Sequence, residues 1–338
     1  MKAAVYDSYG PPGVVHVDNL PRPVPGDGEV LIRIRAASVN PLDCVTPGKP
    51  YSLRMMTGLR RPKATRLGVD AAGEVEDRGR DVTRFRPGDR VFGFCVRDPL
   101  AGGAAAWTRS QGAFAEYACI PEAALAAIPA SVTFEQAAAA PVAAVTALQG
   151  LRDKGRVRPG QRVLINGAAG GVGTFAVQIA KASGAEVTGV CSTRNVSLVQ
   201  SIGADRVIDY TQEDFTQAKA RYDVFFDLIG NRSLAACRRL LTPGGTYIAA
   251  GGPGSRWFAG LLARPVEILA LSRFVSQKLV VYLARPDYKD LIVIGELMAA
   301  GKVTPVIDRR YALSEVPHAL RYLQEKHARG KVLIDPAD

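Results

Sequence analysis

Residues 162–194 read RVLINGAAGGVGTFAVQIAKASGAEVTGVCSTR, and this stretch decides the fold. Val163, Leu164 and Ile165 make a short apolar run of the kind shown by a strand buried on both faces. Gly167, Gly170, Gly171 and Gly173 crowd into the loop that follows. Beyond it Val172, Phe175, Ala176, Ile179 and Ala180 recur at helical spacing, and Gly184 supplies the helix end. A second apolar run fills positions 187–190. Strand, glycine loop, helix, strand is the order that holds a dinucleotide's pyrophosphate on a helix N-terminus. Glycines are needed there because a Cβ would keep the backbone N–H groups away from the phosphates. A plain βαβ crossover has the same order without a ligand, so the end of the second strand must be read as well.

A site built for NADH carries Asp or Glu there, roughly 20 residues after the glycines, to accept from the ribose 2′-hydroxyl. This chain has Cys191, Ser192, Thr193 and Arg194 instead. Two hydroxyls and a guanidinium suit a 2′-phosphate, because Arg offers forked donors and a permanent charge. The expected cofactor is therefore NADPH. The alternative for Arg194 is a solvated cation beside an N-capping Ser192.

The 338 residues suffice for two domains with separate cores. Formal charge is +11, yet the cations are scattered, with only short pairs such as Arg60–Arg61, Arg238–Arg239 and Arg309–Arg310. No basic tract is interleaved with aromatics, which argues against nucleic acid as a partner. Cys44, Cys95, Cys119, Cys191 and Cys237 lie far apart without a C-x-x-C pair, so reduced structural thiols are expected. The opening MKAAVYDSYG has no signal-peptide core, and no run reaches the length of a membrane span. A cytoplasmic protein without a membrane partner is the expectation.

Before the glycine loop the pattern is β-rich. Short strands are expected at residues 2–6 and 14–17, 68–76, 89–94 and 112–119. In residues 29–37 (EVLIRIRAA), Val30, Ile32 and Ile34 alternate with Leu31, Arg33 and Arg35, as in a half-buried antiparallel strand. Thr133 and Gln136 fit a capping box for an alanine-rich helix interrupted at Pro141 and resumed to Gln149. After residue 194, strands are expected at 206–208, 222–228, 246–250 and 279–283, and helices at 288–300 and 316–326.

Taken together, several short motifs resemble the medium-chain dehydrogenase/reductases, and within them the zinc-free quinone oxidoreductases. They are Ser38-Val39-Asn40-Pro41-Leu42-Asp43, Gly68-Val69-Asp70-Ala71-Ala72-Gly73, Arg86-Pro87-Gly88-Asp89-Arg90-Val91 and Gly112-Ala113-Phe114-Ala115-Glu116-Tyr117. The series continues through residues 141–147, the glycine loop, Gly203-Ala204-Asp205 with Ile208-Asp209-Tyr210, Leu241-Thr242-Pro243-Gly244-Gly245, and Arg329-Gly330-Lys331-Val332. They occur in family order over nearly the whole chain. The resemblance implies an α/β fold in which a Rossmann doubly wound parallel sheet is inserted in a GroES-like β-barrel domain. Residues 1–125 with 301–338 would form the GroES-like catalytic domain, and residues 126–300 the NADPH-binding domain, with the nicotinamide in a cleft between them.

Carried over residue by residue, the resemblance places Thr146 near the nicotinamide carboxamide. Ala169, Gly170, Gly171 and Val172 would lie at the pyrophosphate, and Ser192, Thr193 and Arg194 at the 2′-phosphate. Tyr210 would lie near the adenosine or pack in the core. Leu228 and Gly251 border the nicotinamide side. His327, Ala328 and Arg329 match a late segment that closes over NADPH, although Arg329 also reads as a surface cation. Similar proteins are usually dimers or tetramers, and the resemblance implies a homodimer pairing through residues 279–283.

The departures from the family define the chemistry. Zinc-dependent relatives place a Cys ligand where Asn40 stands and a His within the segment now reading Gly68 to Ala71. Asn40 and Val69-Asp70 cannot supply that Cys/His set, and His16, His318 and His327 are scattered, so no metal is expected. Cys44, without His partners, reads as packing. Without a Lewis acid the favoured acceptors are electrophilic already, namely a quinone or the C=C of an α,β-unsaturated carbonyl. The protein would then position the acceptor and hydrogen-bond its developing oxyanion. Asn40 is the first candidate donor, the alternative being a turn residue before Pro41. Tyr51 is the candidate proton donor or a loop anchor. The competing functions are an enoyl-thioester reductase, using the basic loop 49–63 for an acidic carrier, and a non-catalytic NADPH-binding sensor.

Overall fold

The computed structural model describes residues 1–45, 62, 65–99, 111–250, 267–268, 271, 275–325 and 328–336. The chain falls into two compact units. One comprises Met1–Val145, Arg285–Gly301 and Pro305–Asp338, the other Thr146–Ala284 and Lys302–Thr304. Helix Phe134–Ala139, the start of helix Pro141–Gln149 and helix Tyr288–Ala299 are thus grouped with the β-rich unit. Packing accounts for the grouping. Helix Phe134–Ala139 lies on strands Glu29–Val39 and Asp70–Arg78, and helix Tyr288–Ala299 packs on strand Leu125–Ala127. Ala137, Ala138 and Ala139 are fully buried, and side chains that small let a helix lie close to a sheet. Its start is the expected capping box, Thr133 Oγ1 accepting from the Gln136 N–H and Gln136 Oε1 from the Thr133 N–H.

In the β-rich unit a sheet runs Ile307–Ala312, Lys331–Asp335, Glu29–Val39, Asp70–Arg78, Arg90–Phe94, Leu125–Ala127, and Tyr117–Pro121 also pairs with Glu29–Val39. The strand Glu29–Val39 therefore has three partners, one of them from the C-terminal tail. Its register sets Val332 against Val39 on one side and Asp70 against Ser38 on the other. Val30, Ile32 and Ile34 are buried as the alternation predicts, and Arg33 is exposed. Leu31, expected on the outer face with Arg33, is buried as well. Two other expected strands are displaced. A single 3-10 turn takes up Pro12–Val14, so its strand is His16–Asn19, and the strand expected from residue 112 is Tyr117–Pro121.

In the second unit six strands are all parallel, in the order Arg206–Asp209, Glu186–Cys191, Arg162–Asn166, Tyr222–Asp227, Leu241–Ala249, Lys278–Val281. Numbered along the chain this is 3-2-1-4-5-6, a doubly wound order whose ligand crevice lies beyond the carboxyl ends of the strands, where the winding reverses. The reversal falls between Arg162–Asn166 and Tyr222–Asp227. Helix Gly171–Ala182 follows the first strand and ends at Ser183, with Gly184 at φ +78° closing it. Within the unit's largely aliphatic core Phe215, Phe225 and Tyr247 stack edge to face at centroid distances of 6.2 and 5.4 Å. No helix among the described residues is long and apolar enough to cross a membrane.

Candidate functional site

In the parallel-sheet unit the sequence-predicted residues gather at the carboxyl edge. The loop 167–170 follows strand Arg162–Asn166 and delivers Gly170 as the N-cap of helix Gly171–Ala182, with no side chain capping the helix. An uncapped N-terminus leaves backbone N–H donors and the positive end of the helix dipole for an anion. Two glycines differ in what they do. A Cβ on Gly173 would stand 2.0 Å from the Gly167 carbonyl oxygen, so Gly173 is required by loop–helix packing. A Cβ on Gly170 would meet only that same oxygen at 3.5 Å, and its φ of −81° is ordinary. The fold does not require glycine at 170. Ala169 is buried, while Gly170, Gly171 and Val172 are half-buried.

The next two strands end side by side, Cys191 paired with Asp209. Ser192, Thr193 and Arg194 therefore neighbour Tyr210, whose N–H donates to the Cys191 carbonyl at 3.0 Å. Tyr210 is 49% exposed, so it is no part of the core. Ser192 is half-buried and its hydroxyl accepts from Asn195 Nδ2 at 3.2 Å; Thr193 and Arg194 are exposed. The strand neighbour also brings a carboxylate that the local sequence does not show. Asp209 accepts from Thr193 Oγ1 at 2.6 Å and from Thr211 Oγ1 at 2.7 Å. The Thr193 hydrogen bond, with those of Thr211, holds its carboxyl below the usual range. Burial raises the neighbouring Cys191 thiol to about 11.

At the reversal point Asp227 is fully buried and accepts four hydrogen bonds. Asn166 Nδ2 (2.9 Å), the Ile229 N–H (3.1 Å) and the Gly230 N–H (2.9 Å) bond to Oδ1, and the Tyr247 hydroxyl (2.7 Å) to Oδ2. These contacts fix the turn that carries Leu228, whose own N–H donates to the Asn166 carbonyl. Asn166 and Asp227 are polar residues closing otherwise apolar strands, which is the signal that could have singled them out. Thr146 is half-buried in helix Pro141–Gln149, and its carbonyl accepts from the Tyr282 hydroxyl.

In the β-rich unit Asn40 is 3% exposed, and its amide sits in a buried polar cluster. Nδ2 donates to Asp70 Oδ2 at 2.8 Å and, more weakly, to the Ser38 carbonyl at 3.4 Å, while Oδ1 accepts from Lys331 Nζ at 2.7 Å. Lys331 also donates to Asp70 Oδ2 at 3.3 Å. Asp70 further accepts from the Ser38 hydroxyl (2.8 Å) and the Val142 N–H (3.0 Å). Asp43, 2% exposed, accepts from the Asn40 and Gly68 N–H groups at 2.8 and 3.1 Å. Burial pushes its carboxyl up to about 7, with repulsion from Asp70 adding to the rise and the two N–H donors and Lys331 opposing it. Ser38, Asp43, Asp70 and Lys331 stand within the motifs recognised above, but no local signal assigns them a common site.

The cluster does not fit a catalytic zinc. An amide, the apolar Val69 and a carboxylate already paired with an ammonium stand where a Cys/His set would be needed. Among the described residues no group of three or more His, Cys, Asp or Glu side chains could hold a metal ion. Cys44 packs, its thiol 3.5 Å from the Leu320 carbonyl and pushed up to about 12 by burial. Ala328 is half-buried in the same unit, and the exposed Arg329 donates its backbone N–H to Asp308. Tyr51, Gly251 and His327 lie outside the described residues.

Known proteins match this architecture along its whole length. The family model described as "Alcohol dehydrogenase GroES-like domain" matches residues 26–130, and that described as "Zinc-binding dehydrogenase" matches residues 202–334. The mitochondrial NAD(P)H oxidoreductase RTN4IP1 of Mus musculus is 33% identical over 99% of this chain and 89% of its own. The chloroplastic NADPH-dependent alkenal/one oxidoreductase of Arabidopsis thaliana is 32% identical over 99% of this chain and 80% of its own. The quinone oxidoreductase structure from Coxiella burnetii superposes with a TM-score of 0.84 at 29% identity, covering 99% of both chains. With both family models in order and a third of all positions shared end to end, the chain belongs to the medium-chain dehydrogenase/reductase superfamily of oxidoreductases, in its quinone oxidoreductase-like branch.

Proposed function

We propose that the protein is an NADPH-dependent oxidoreductase that transfers hydride to a quinone or to the C=C of an α,β-unsaturated carbonyl without a metal. The observation that carries the proposal is the uncapped helix N-terminus at the reversal of the 3-2-1-4-5-6 sheet, where position 170 is glycine although the fold leaves room for a Cβ. A glycine that packing does not demand is accounted for by a pyrophosphate on the Ala169–Val172 backbone. Ser192, Thr193 and Arg194 then face the 2′-phosphate, with Asp209 an opposing charge that tempers the preference over NADH. Tyr210, exposed beside them, flanks the adenosine, and Thr146 and the turn at Leu228 border the nicotinamide.

Bound NADPH supplies the hydride. The chain's part is to bind and orient, and to hold the oxygen on which negative charge develops. Asn40 carries that role, because its N–H toward Ser38 is the weaker of its two donor bonds and can be given up to a substrate oxygen. The Lys331-paired Asp70 beside it supports chemistry without zinc, which leaves quinones and enones as acceptors. Relatives named as a quinone oxidoreductase and an alkenal/one oxidoreductase point to the same pair of acceptors. Five buried free cysteines suit the reducing cytoplasm. The edge strand Lys278–Val281, with Val281 39% exposed, offers a pairing edge for a homodimer.

Incubation with 4-deuterated NADPH, one enone and one quinone tests the proposal. Deuterium on the enone β-carbon, or quinol formed with loss of NADPH, is the expected result. Tight NADPH binding without turnover of either acceptor overturns it.

A further inference from the structure

Lys331 is the buried cation that the reading above leaves without a task. It is 3% exposed, 291 residues from Asn40 in sequence, and delivered to it by the pairing of Lys331–Asp335 with Glu29–Val39. An ammonium only donates, so the atom it meets at 2.7 Å must be the amide oxygen of Asn40, and the NH2 group must face Asp70. The side chain has two such orientations related by a flip, and Lys331 and Asp70 together select one. Withdrawing electron density through Oδ1 also makes the amide N–H groups better donors. One N–H is held by Asp70 at 2.8 Å, and the other has only the long contact to the Ser38 carbonyl at 3.4 Å.

We propose that Lys331 is a positioning residue for Asn40. With Asp70 it fixes the amide so that the weakly held N–H is presented to the acceptor's developing oxyanion, and it strengthens that N–H for the purpose. The inference rests on the proposed hydride-transfer function, since it assigns Lys331 a part in that reaction. Lys331 touches no substrate in this account and acts through the amide alone. A purely structural ammonium would serve the fold equally well with Asn40 present or absent. A positioning ammonium has its effect on turnover only when the amide is there.

A double-mutant cycle on the full-length protein separates these. The readouts are kcat for enone and quinone, Kd for NADPH, and the thermal midpoint. Asn40→Ala is expected to lower kcat about 100-fold, and Lys331→Met about 10- to 100-fold, each with NADPH affinity within about 3-fold of the parent. In the Asn40→Ala background Lys331→Met should add less than about 3-fold. Because Lys331→Met strands the Asp70 carboxylate, the pair Lys331→Met with Asp70→Asn provides a neutral cluster that retains a carbonyl acceptor for Asn40. Its kcat should fall as in the single Lys331 variant. Additive losses, an Asn40→Ala enzyme with parental kcat, or a neutral pair as active as the parent overturns the proposal while leaving hydride transfer standing. A parent protein that turns over neither acceptor removes the function itself, and this inference with it.

Discussion

The two polar regions of this protein are built in opposite ways. The cluster of Asn40, Asp43, Asp70 and Lys331 is dry, with each of the four at most 3% exposed, and it is assembled from strand ends up to 291 residues apart. The edge formed by Gly170, Ser192, Thr193, Arg194, Asp209 and Tyr210 is wet, and it is assembled from backbone donors and short loops within about 40 residues of chain. In the dry region the polar groups are matched to one another, apart from the weakly held Asn40 N–H, and removing one member strips another of a partner at low dielectric. In the wet region water replaces a lost partner and salt screens the charges, so changes there act on ligand affinity while stability barely moves. The first region orients an amide through protein contacts alone. The second is the edge proposed above to take an anion.

The largest break in this contrast should come from Asp70→Ala, which leaves the buried Lys331 without its opposite charge and removes the acceptor of the Ser38 hydroxyl and of the Asn40 amide. A loss of about 3–5 kcal/mol in unfolding free energy is expected, read by urea titration. Asp70→Leu combined with Lys331→Met should lose less than the single change, because neither member of the ion pair is then left buried without the other. Next comes the pH dependence of the same cluster. Asp43 holds its proton up to about 7 in the folded protein against 3.8 in an ordinary site. Below about pH 3 it is protonated in both states. As pH rises from there toward 7 only the unfolded state releases the proton, so stability falls, by about 2 kcal/mol between pH 5 and 7. Asp43→Asn, which cannot titrate, should flatten that slope, and an unchanged slope would place the titration elsewhere.

The wet edge should respond through its ligand. Gly170→Ala is expected to weaken NADPH binding about 10-fold or more by calorimetry, with a stability loss of no more than about 1 kcal/mol, the N-cap preference for glycine over alanine. Gly173→Ala, whose Cβ would collide with the Gly167 carbonyl, should damage both. Equal NADPH binding in Gly170→Ala would break the pyrophosphate assignment. Arg194→Ala should weaken NADPH about 10-fold and NADH hardly at all. The smallest effect is that of Asp209→Asn, a gain in NADPH affinity of about 3-fold at low salt that fades in 0.5 M salt, as a screened surface charge requires.

The same contrast governs what could be read before the fold was known. The glycine loop, the capping box at Thr133, the strand at Arg162–Asn166 and the helix end at Gly184 are local, and each follows from backbone rules that act over a few residues. The family motifs then carried the whole architecture. Asn40 was legible as a candidate only because a metal-ligand type is missing there. Its partners were not, because Asp70 and Lys331 reach it through strand register, and register is a property of the assembled sheet. Asp209 was missed for a similar reason. A reading of the end of one strand finds no carboxylate after Cys191, but the neighbouring parallel strand sets one beside Thr193.

The sequence by itself determined the kind of protein this is: a Rossmann-type parallel-sheet unit joined to a β-rich one, with a glycine loop between its first strand and helix and no Cys/His set in the segments that resemble the family's metal positions. Those features are encoded in residue type and short spacing, which constrain φ/ψ and charge within a few positions. Only the tertiary structure decided which polar groups meet. It brought Lys331 onto Asn40 and fixed the amide's orientation, put Asp209 beside the Thr193 hydroxyl, and showed that a Cβ collides with the loop at Gly173 but not at Gly170. Pairing across a sheet is set by the burial of whole strands, and no stretch of chain carries that information alone.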